Sequence, residues 1–535
     1  MIGRTIRSFI ASLLIILLYP ARAPLSVFAG VAPERAALPS AEQTDGAFDV
    51  KSYALRLRID PAAKLISGSV RVRATALVAN LNAIALDLAD NMAVASVRSE
   101  GRELEFTHQR NQLNIKLARR YGRGAAFELT INYQGQPQGD GFSFGEHQGV
   151  PMISTYGLPF SARQWWPCKD TPLDKADAVD LSITVPAALV VASNGKLSKE
   201  VENTDGTKTF SWAVSYPIYP DTVSLAITNY QTFTLPYESA AGAMDMVFYV
   251  YPEDVAKAKI DFSVLPAMLK NHEAVFGAYP CYGARLINGD HRNDFILAHE
   301  LAHQWFGNMI SVRNWSHIWL NEGFATYAFA LWREHLGGLR DYLAAMRKFD
   351  RGEFQGSVFI PDPTDASKLF TPTTFNKGAW VLHMLRHVMG DEKFFRAIRQ
   401  YVKQYAYKNA DTEDFQAVCE QVYGRPLGWF FKQWVYGSKR PEYEYQWRMT
   451  GAGRRRVVKL TINQRQSNAE LFKMPLDVVL TTTSGEKKFK VWDRRKTQDF
   501  ELAVDADVTQ LKLDPDGWVL KTLRTNDSPP RAAHL

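Results

Sequence analysis

The chain has 535 residues, a length that predicts two to four domains. Apolar residues make up 46% of it and charged residues 22%, which is typical of a globular protein, and neither internal repeats nor low-complexity tracts occur. The net charge of +7 is small for this length and the basic residues are scattered, so we expect no nucleic-acid partner.

The first residues of the chain predict a targeting signal. Arg4 and Arg7 precede the apolar run 9–19 (FIASLLIILLY), and residues 27–30 (VFAG) have the small-residue pattern of a cleavage site. The run is too short to cross a bilayer core of roughly 30 Å as a helix. We therefore predict a signal peptide over residues 1–29 and an exported protein, periplasmic or secreted. The alternative is a retained N-terminal segment that anchors the protein to a membrane.

The cysteines are too few and too far apart to predict a disulfide framework or a cysteine-based metal site. Cys168, Cys281 and Cys419 are odd in number and widely spaced. We expect them to be buried thiols that pack as small apolar side chains.

Strand patterns dominate the first part of the chain after the signal. Tyr53, Leu55, Leu57 and Ile59 alternate with polar residues, and similar runs separated by Gly, Asp and Asn recur. These patterns predict a large antiparallel β domain over residues 45–235.

The pattern then changes from strands to helices and back again. Segments with helical periodicity predict a mostly helical domain over residues 236–437. Alternation returns after it and predicts a small β-sandwich over residues 438–523, followed by a disordered tail at 524–535. The predicted fold class is therefore multidomain α+β.

A metal-binding pattern lies in the helical part, within HELAH and WLNEGFATY. His299 and His303 are four residues apart, so on a helix both imidazoles leave the same face and can bind one tetrahedral ion. Glu300 lies between them and can take a proton from water at the metal. Glu322, 19 residues after His303 on a second predicted helix, supplies a third ligand. The pattern predicts one Zn²⁺ ion; core histidines bonded to carbonyl groups are the structural alternative.

Several longer segments resemble the gluzincin metallo-aminopeptidases, the family that includes membrane alanyl aminopeptidase and leukotriene hydrolase. The similar segments are HELAHQWFGN, WLNEGFATY, SARQWWPCKDTPLDKAD, SNGKL and KGAWVLHMLR, and the resemblance runs over about residues 45–520. It implies an N-terminal β-saddle domain, a thermolysin-like catalytic domain and a C-terminal β-sandwich. It also implies His299, His303 and Glu322 as zinc ligands, Glu300 as general base, and removal of N-terminal residues from peptides.

Two features of that family are missing from this chain, one in the interval before HELAH and one just before KGAWVLHMLR. Relatives carry a Met-Glu segment that binds the substrate's free amine, but the interval between residues 281 and 298 contains no such pair and looks about 20 residues short. Relatives also place an oxyanion-stabilising Tyr before their x-Lys-Gly motif, where this chain has Phe375. A gene-model error would explain the first difference, and the hydroxyl of Thr373 or Thr374 would offset the second.

Two further departures concern supporting groups. The family often has a Glu seven residues after its third ligand, where this chain has Phe329. The β domain usually offers Gln or Glu towards the substrate amine, where this chain offers Tyr156 and Leu158.

Three functions are consistent with these observations. The first is a zinc aminopeptidase acting on peptide substrates, with activity impaired by the missing groups. The second is a catalytically inactive zinc-binding relative that binds peptides or a partner protein. The third is a zinc hydrolase of altered specificity, such as an endopeptidase. The sequence does not predict an oligomeric state, and we expect membrane association only if the N-terminal segment is retained.

Overall fold

The computed structural model of the chain describes residues 46–156, 159–240, 242–280, 294–352, 354–451, 456–467 and 470–525. The predicted signal peptide and almost all of the predicted tail lie outside these residues. The described residues form two compact units. The first unit extends to Trp315 and includes residues 362–370 and 405–410, and the second contains the remainder.

The strands are numbered in chain order across both units. They are β1 (Phe48–Asp60), β2 (Leu65–Ala76), β3 (Leu81–Asp87), β4 (Met92–Ser99), β5 (Arg102–Glu103), β6 (Phe106–Gln109), β7 (Gln112–Tyr121), β8 (Ala126–Gly135), β9 (Phe142–His147), β10 (Val150–Thr155), β11 (Ala178–Pro186), β12 (Val190–Ser193), β13 (Lys196–Glu202), β14 (Thr207–Val214), β15 (Leu225–Thr228), β16 (Gln231–Ser239), β17 (Gly242–Val250), β18 (Ser311–Val312), β19 (Asn409–Ala410), β20 (Glu442–Thr450), β21 (Arg456–Gln464), β22 (Met474–Thr482), β23 (Gly485–Asp493), β24 (Thr497–Val504), β25 (Val508–Leu513) and β26 (Thr522–Thr525).

The helices lie between β17 and β20. They are α1 (Val255–Asp261), α2 (Leu265–Phe276), α3 (Asp294–Ala302), α4 (Trp319–Phe349), α5 (Ala366–Leu369), α6 (Gly378–Met389), α7 (Asp391–Tyr405), α8 (Thr412–Tyr423) and α9 (Gly428–Phe431), with π-helical turns at Thr373–Lys377 and Lys432–Tyr436. No helix in the described ranges combines the length and apolar character needed to cross a membrane.

The first unit is built around an eight-stranded sheet with the order β13-β14-β11-β1-β2-β8-β4-β5. Its strands alternate between buried and outward-facing residues, as in β1, where Tyr53, Leu55, Leu57 and Ile59 are buried. A four-stranded sheet, β12-β15-β10-β9, belongs to the same hydrophobic core. The ribbon β16–β17 continues to Val250, so the change from strands to helices falls about 15 residues after the predicted domain boundary. The domain boundaries themselves stay predictions.

A buried ionic cluster holds the SARQWWPCKD segment in the first unit. The Arg163 guanidinium donates to Asp170 Oδ2 at 2.7 Å and lies 3.2 Å from Asp87 Oδ1, and all three residues are buried. Asp221 accepts hydrogen bonds from the N–H groups of Phe160, Ser161 and Ala162. Burial raises the pKa of Asp87 to about 6, although the charge of Arg163 opposes this rise. The segment therefore has a structural role that its resemblance alone did not reveal.

The second unit joins helices to two small sheets. Helix α4 contacts α6, and a kink at Gly337 and Gly338 divides α4 in two. The sheets have the orders β24-β21-β20-β26 and β23-β22-β25, with buried apolar residues along their strands. The observed sequence of a β-rich part, a helical part and C-terminal sheets confirms the predicted fold class.

The cysteine prediction can be checked at two positions. Cys168 and Cys419 are free thiols and both are buried, which raises the pKa of each. Cys281 lies outside the described residues.

Candidate metal centre

The two candidate histidines leave one face of α3 together. The His303 N–H donates to the His299 carbonyl at 3.2 Å, so helical spacing continues one residue beyond the end of α3. The Nε2 atoms of His299 and His303 lie 3.0 Å apart. Two nitrogens bound to one tetrahedral zinc ion at 2.0–2.1 Å would lie about 3.4 Å apart. The imidazoles are therefore already close to a metal-binding arrangement.

A backbone carbonyl fixes the orientation of the second imidazole. His303 Nδ1 lies 2.9 Å from the carbonyl oxygen of Phe306, which can only accept a hydrogen bond. The proton of the neutral ring is thus held on Nδ1, and Nε2 keeps its lone pair for a metal. Such a bond is the usual support of a metal-binding histidine.

Glu322 brings the third donor. It lies in the first turn of α4 and its side chain is buried, as are those of His299 and His303. The ligand atoms of these three residues all lie within 4.8 Å of one another, a separation at which they could hold one metal ion. Two imidazoles and one carboxylate form a donor set that suits Zn²⁺. The residues present therefore fit the predicted ion.

Glu300, the predicted general base, is also buried and lies next to His299 on α3. The sequence predicted these four residues from local spacing, and the structure brings the three candidate ligands together.

Close backbone contact fixes the start of α4 against α6. A Cβ atom added at Gly323 would lie 2.9 Å from the carbonyl carbon of Gly378, and one added at Gly378 would lie 2.9 Å from the Gly323 Cα. Both positions therefore require glycine. Because Gly323 follows Glu322 directly, this contact also places the π-helical turn Thr373–Lys377 beside the carboxylate-bearing helix.

Phe375 lies in that π-helical turn and is buried. The neighbouring hydroxyl of Thr373 donates to the carbonyl of Gln355 at 2.8 Å, and that of Thr374 lies 3.5 Å from the Thr371 hydroxyl. Thr373 is thus engaged with the backbone instead of replacing the tyrosine hydroxyl of the family. Lys377 donates to the Gly437 carbonyl at 2.6 Å, and burial lowers its pKa to about 8.

The remaining departures from the family can be placed only in part. Phe329 is half-buried on α4 and its ring lies 6.3 Å from that of Phe349. The Tyr156 N–H donates to the carbonyl of Gly141. Leu158 lies outside the described residues, as does the interval 281–293 that lacks the Met-Glu pair.

One supporting residue was missed from the sequence. His272 on α2 is buried, and its Nε2 lies 3.0 Å from the carbonyl oxygen of Ala298 on α3. Burial lowers the pKa of His272 to about 4, so the ring is neutral and donates to α3 at neutral pH. No local pattern predicts this contact, because a lone histidine on a helix is usually an ordinary core residue.

Comparison with known protein families gives two matches along the chain. The Peptidase M1 N-terminal domain matches residues 50–219, and the Peptidase family M1 domain matches residues 285–434. These ranges together cover more than half of the chain and include the candidate ligands.

Individual relatives share about a quarter of their residues with the chain. Aminopeptidase M1-D of Oryza sativa subsp. japonica is 28% identical over 434 residues, which is 72% of this chain and 49% of the relative. Leucyl aminopeptidase of Saccharolobus solfataricus is 25% identical over 479 residues, which is 79% of this chain and 57% of the relative. The chain thus spans about half the length of the relatives it matches.

Solved structures show the same fold. Aminopeptidase A of Legionella pneumophila, solved in complex with aspartic acid, superposes with a TM-score of 0.80 at 18% identity, covering 92% of this chain and 61% of that one. An M1 zinc metallopeptidase of Deinococcus radiodurans superposes with a TM-score of 0.66 at 24% identity, covering 74% of this chain and 95% of that one. At these identities the likeness concerns the fold. With both family domains matched in order and their fold shared, the chain belongs to the peptidase M1 family.

Proposed function

We propose that the chain is a zinc-dependent aminopeptidase that removes N-terminal residues from peptides. The observation that carries this proposal is the convergence of His299, His303 and Glu322, whose ligand atoms lie within 4.8 Å of one another. Membership of the M1 family supports the reaction class, and aminopeptidases recur among the relatives.

Each residue of the centre has a distinct task in this proposal. His299, His303 and Glu322 bind the ion, and the Phe306 carbonyl orients His303. A bound zinc ion supplies Lewis acidity that polarises the scissile carbonyl. Glu300 takes a proton from the attacking water and returns it to the leaving amine nitrogen.

We further propose that the reaction is slow. Phe375 occupies the position at which the family has a hydroxyl donor for the oxyanion, and Thr373 donates elsewhere. Losing one oxyanion donor commonly costs about 10²–10³ in rate.

Hydrolysis by the purified chain tests the proposal. The chain loaded with one equivalent of zinc should release aniline from aminoacyl anilides, and Glu300→Gln should abolish the release. Blocked and unblocked peptides assayed in parallel measure the need for a free N-terminus. Absence of Glu300-dependent hydrolysis would refute the proposed activity, while equal cleavage of blocked peptides would indicate an endopeptidase.

We also propose that the protein is exported. The proposal rests on the basic start, apolar run and cleavage pattern of residues 1–29. Expression of the full chain followed by N-terminal sequencing of the exported product should give a start at Gly30. Retention of the first residues on a membrane-bound product would favour an anchor.

A further inference from the structure

We propose that Lys175 is a positioning residue of the candidate metal centre. It lies outside every element that carries a candidate ligand, yet its ammonium group holds the turn that follows α3. This inference rests on the proposed zinc site, and it assigns a task to a residue of the N-terminal domain.

The ammonium group of Lys175 gathers carbonyl oxygens from two distant segments. Its Nζ donates to the carbonyls of Met309 at 2.9 Å and Asn308 at 3.2 Å, and a longer contact of 3.4 Å reaches the carbonyl of Lys408. A lysine ammonium has three donors and no acceptor, so it is suited to binding several carbonyl groups at once.

The turn that Lys175 holds is the one that orients His303. Within it, the Asn308 N–H donates to the His303 carbonyl at 3.0 Å, and the Met309 N–H donates to the Gln304 carbonyl at 3.2 Å. The same turn contains Phe306, whose carbonyl accepts from His303 Nδ1. Asn308 and Met309, whose carbonyls Lys175 binds, lie two and three residues after Phe306, so the lysine acts on the His303 imidazole through this short stretch of hydrogen-bonded backbone.

The backbone on either side of Lys175 is itself fixed. Asp174 accepts from Lys169 Nζ at 2.6 Å and from the Val50 N–H, which tie it to β1. Ala176 exchanges two backbone hydrogen bonds of 2.9 Å with Ile218. The lysine thus extends from a rigid base, which a group that positions others requires.

Asn409 strengthens the same arrangement from a second direction. Its Nδ2 donates to the carbonyl of Pro172 at 2.6 Å and to that of Val312 at 3.0 Å. The parallel pair β18–β19 also joins Ser311 and Val312 to Asn409 and Ala410. The loop that precedes Lys175 and the strand that follows the His303 turn are therefore held by one side chain.

Zinc affinity, measured without substrate, tests the inference. Chelator competition on the full chain should show about 10-fold weaker binding for Lys175→Met, the lower end of the effect of groups supporting metal ligands. Lys175→Arg keeps donors for the carbonyls and should restore most of the affinity. The matched control is Lys116→Met, which removes a surface ion pair with Glu105 and should leave zinc affinity unchanged.

The visible spectrum of the cobalt-loaded protein distinguishes a change in the position of the metal ligands from a general loss of fold stability. The cobalt-loaded protein should show altered visible bands in Lys175→Met and wild-type bands in Lys116→Met, because only the first change alters ligand geometry. If Lys175→Met does not fold, Asn409→Ala replaces it and should weaken zinc binding in the same direction.

Several outcomes would overturn the inference. One is an unchanged zinc affinity and an unchanged cobalt spectrum in Lys175→Met, or in Asn409→Ala if that variant replaces it. Another is a loss of zinc affinity in Lys116→Met equal to that in Lys175→Met. A wild-type chain that binds no zinc would refute the proposed zinc site and the inference with it. A chain that binds zinc but does not hydrolyse peptides would refute the proposed activity alone.

Discussion

Two buried clusters of ionisable side chains in this chain are built on opposite principles. Around Arg163, the carboxylates of Asp87 and Asp170 lie next to a guanidinium, so the cluster supplies its own positive charge. At the candidate metal centre, two imidazoles and a carboxylate bring their electron-pair donors within 4.8 Å of one another. The first arrangement is suited to stabilising a fold and the second to binding an added cation.

The difference shows that burial and charge alone do not mark a functional site. Both clusters are buried, and the Arg163 cluster lies in a segment that resembles the family as clearly as HELAHQWFGN does. The identity of the groups separates them, because an arginine donates hydrogen bonds but cannot serve as a metal ligand. Substitutions in each cluster should therefore have different consequences.

The largest expected effect is in the metal cluster. Glu322→Gln replaces an anionic ligand with a neutral amide of the same size, so zinc binding and hydrolysis should both be lost while the fold persists. Chelator competition and anilide hydrolysis measure the two losses. The control is Glu392→Gln, whose side chain is 90% exposed, and retention of full zinc affinity in Glu322→Gln would contradict the ligand assignment.

In the Arg163 cluster the effect should be on stability. Arg163→Met leaves Asp87 and Asp170 buried without their counter-charge, which should cost about 3–5 kcal/mol of unfolding free energy. Urea denaturation measures this loss, and the folded variant should bind zinc as the wild type does. Arg58→Met, which removes an exposed pair with Asp205, should change stability little. Lost zinc affinity without lost stability would reverse our assignment of the two clusters.

Phe375→Tyr tests the absent oxyanion donor. Since Phe375 lies in the turn against α4, a hydroxyl there should raise kcat by up to about 10²–10³ with little change in zinc affinity. Steady-state kinetics on aminoacyl anilides gives the result. Phe329→Tyr adds the same hydroxyl at a different place, on α4 itself, and should not raise kcat. An unchanged rate in Phe375→Tyr would show that a different group limits catalysis.

Asp493 is a buried carboxylate with no ion-pair partner among the described residues, so it shows what burial does when no counter-charge like that of Arg163 is present. Asp493 on β23 accepts from Gln464 at 2.6 Å, and burial raises its pKa from 3.8 to about 6. Between pH 3.8 and about pH 6, the folded protein therefore binds more protons than the unfolded chain. The stability contribution of Asp493 is therefore full below pH 3.8 and is lost as the pH rises through about 6.

Asp493→Asn should remove that pH dependence. The amide cannot ionise, so the variant should be more stable than the wild type at pH 8, by at most about 3 kcal/mol, and similar to it at pH 4. Urea denaturation at both pH values measures the difference. A variant that is destabilised equally at both would show that the carboxylate serves packing and hydrogen bonding alone.

The sequence was sufficient where the determining contacts are local. The spacing of His299, Glu300 and His303 is a property of one helix, and alternation along β1 predicts its buried face. Contacts between distant segments were not predictable, because no local pattern marks them. Lys175 meets carbonyls 133 to 233 residues away, and Gly323 meets Gly378 through bare backbone.

The resemblance to the family had a similar limit. It identified SARQWWPCKD as shared but gave no role to Arg163 or Asp170, whose ion pair only the fold reveals. It also left open whether Thr373 replaces the missing hydroxyl, and the Gln355 contact was needed to decide this.

Metal analysis of the purified chain tests the central claim most directly. After dialysis against a zinc buffer, the wild type should hold one zinc ion per chain, and His299→Ala with His303→Ala should hold none while keeping a cooperative unfolding transition. A wild type without zinc, or a double variant that retains it, would contradict the assignment of His299, His303 and Glu322 as the metal centre.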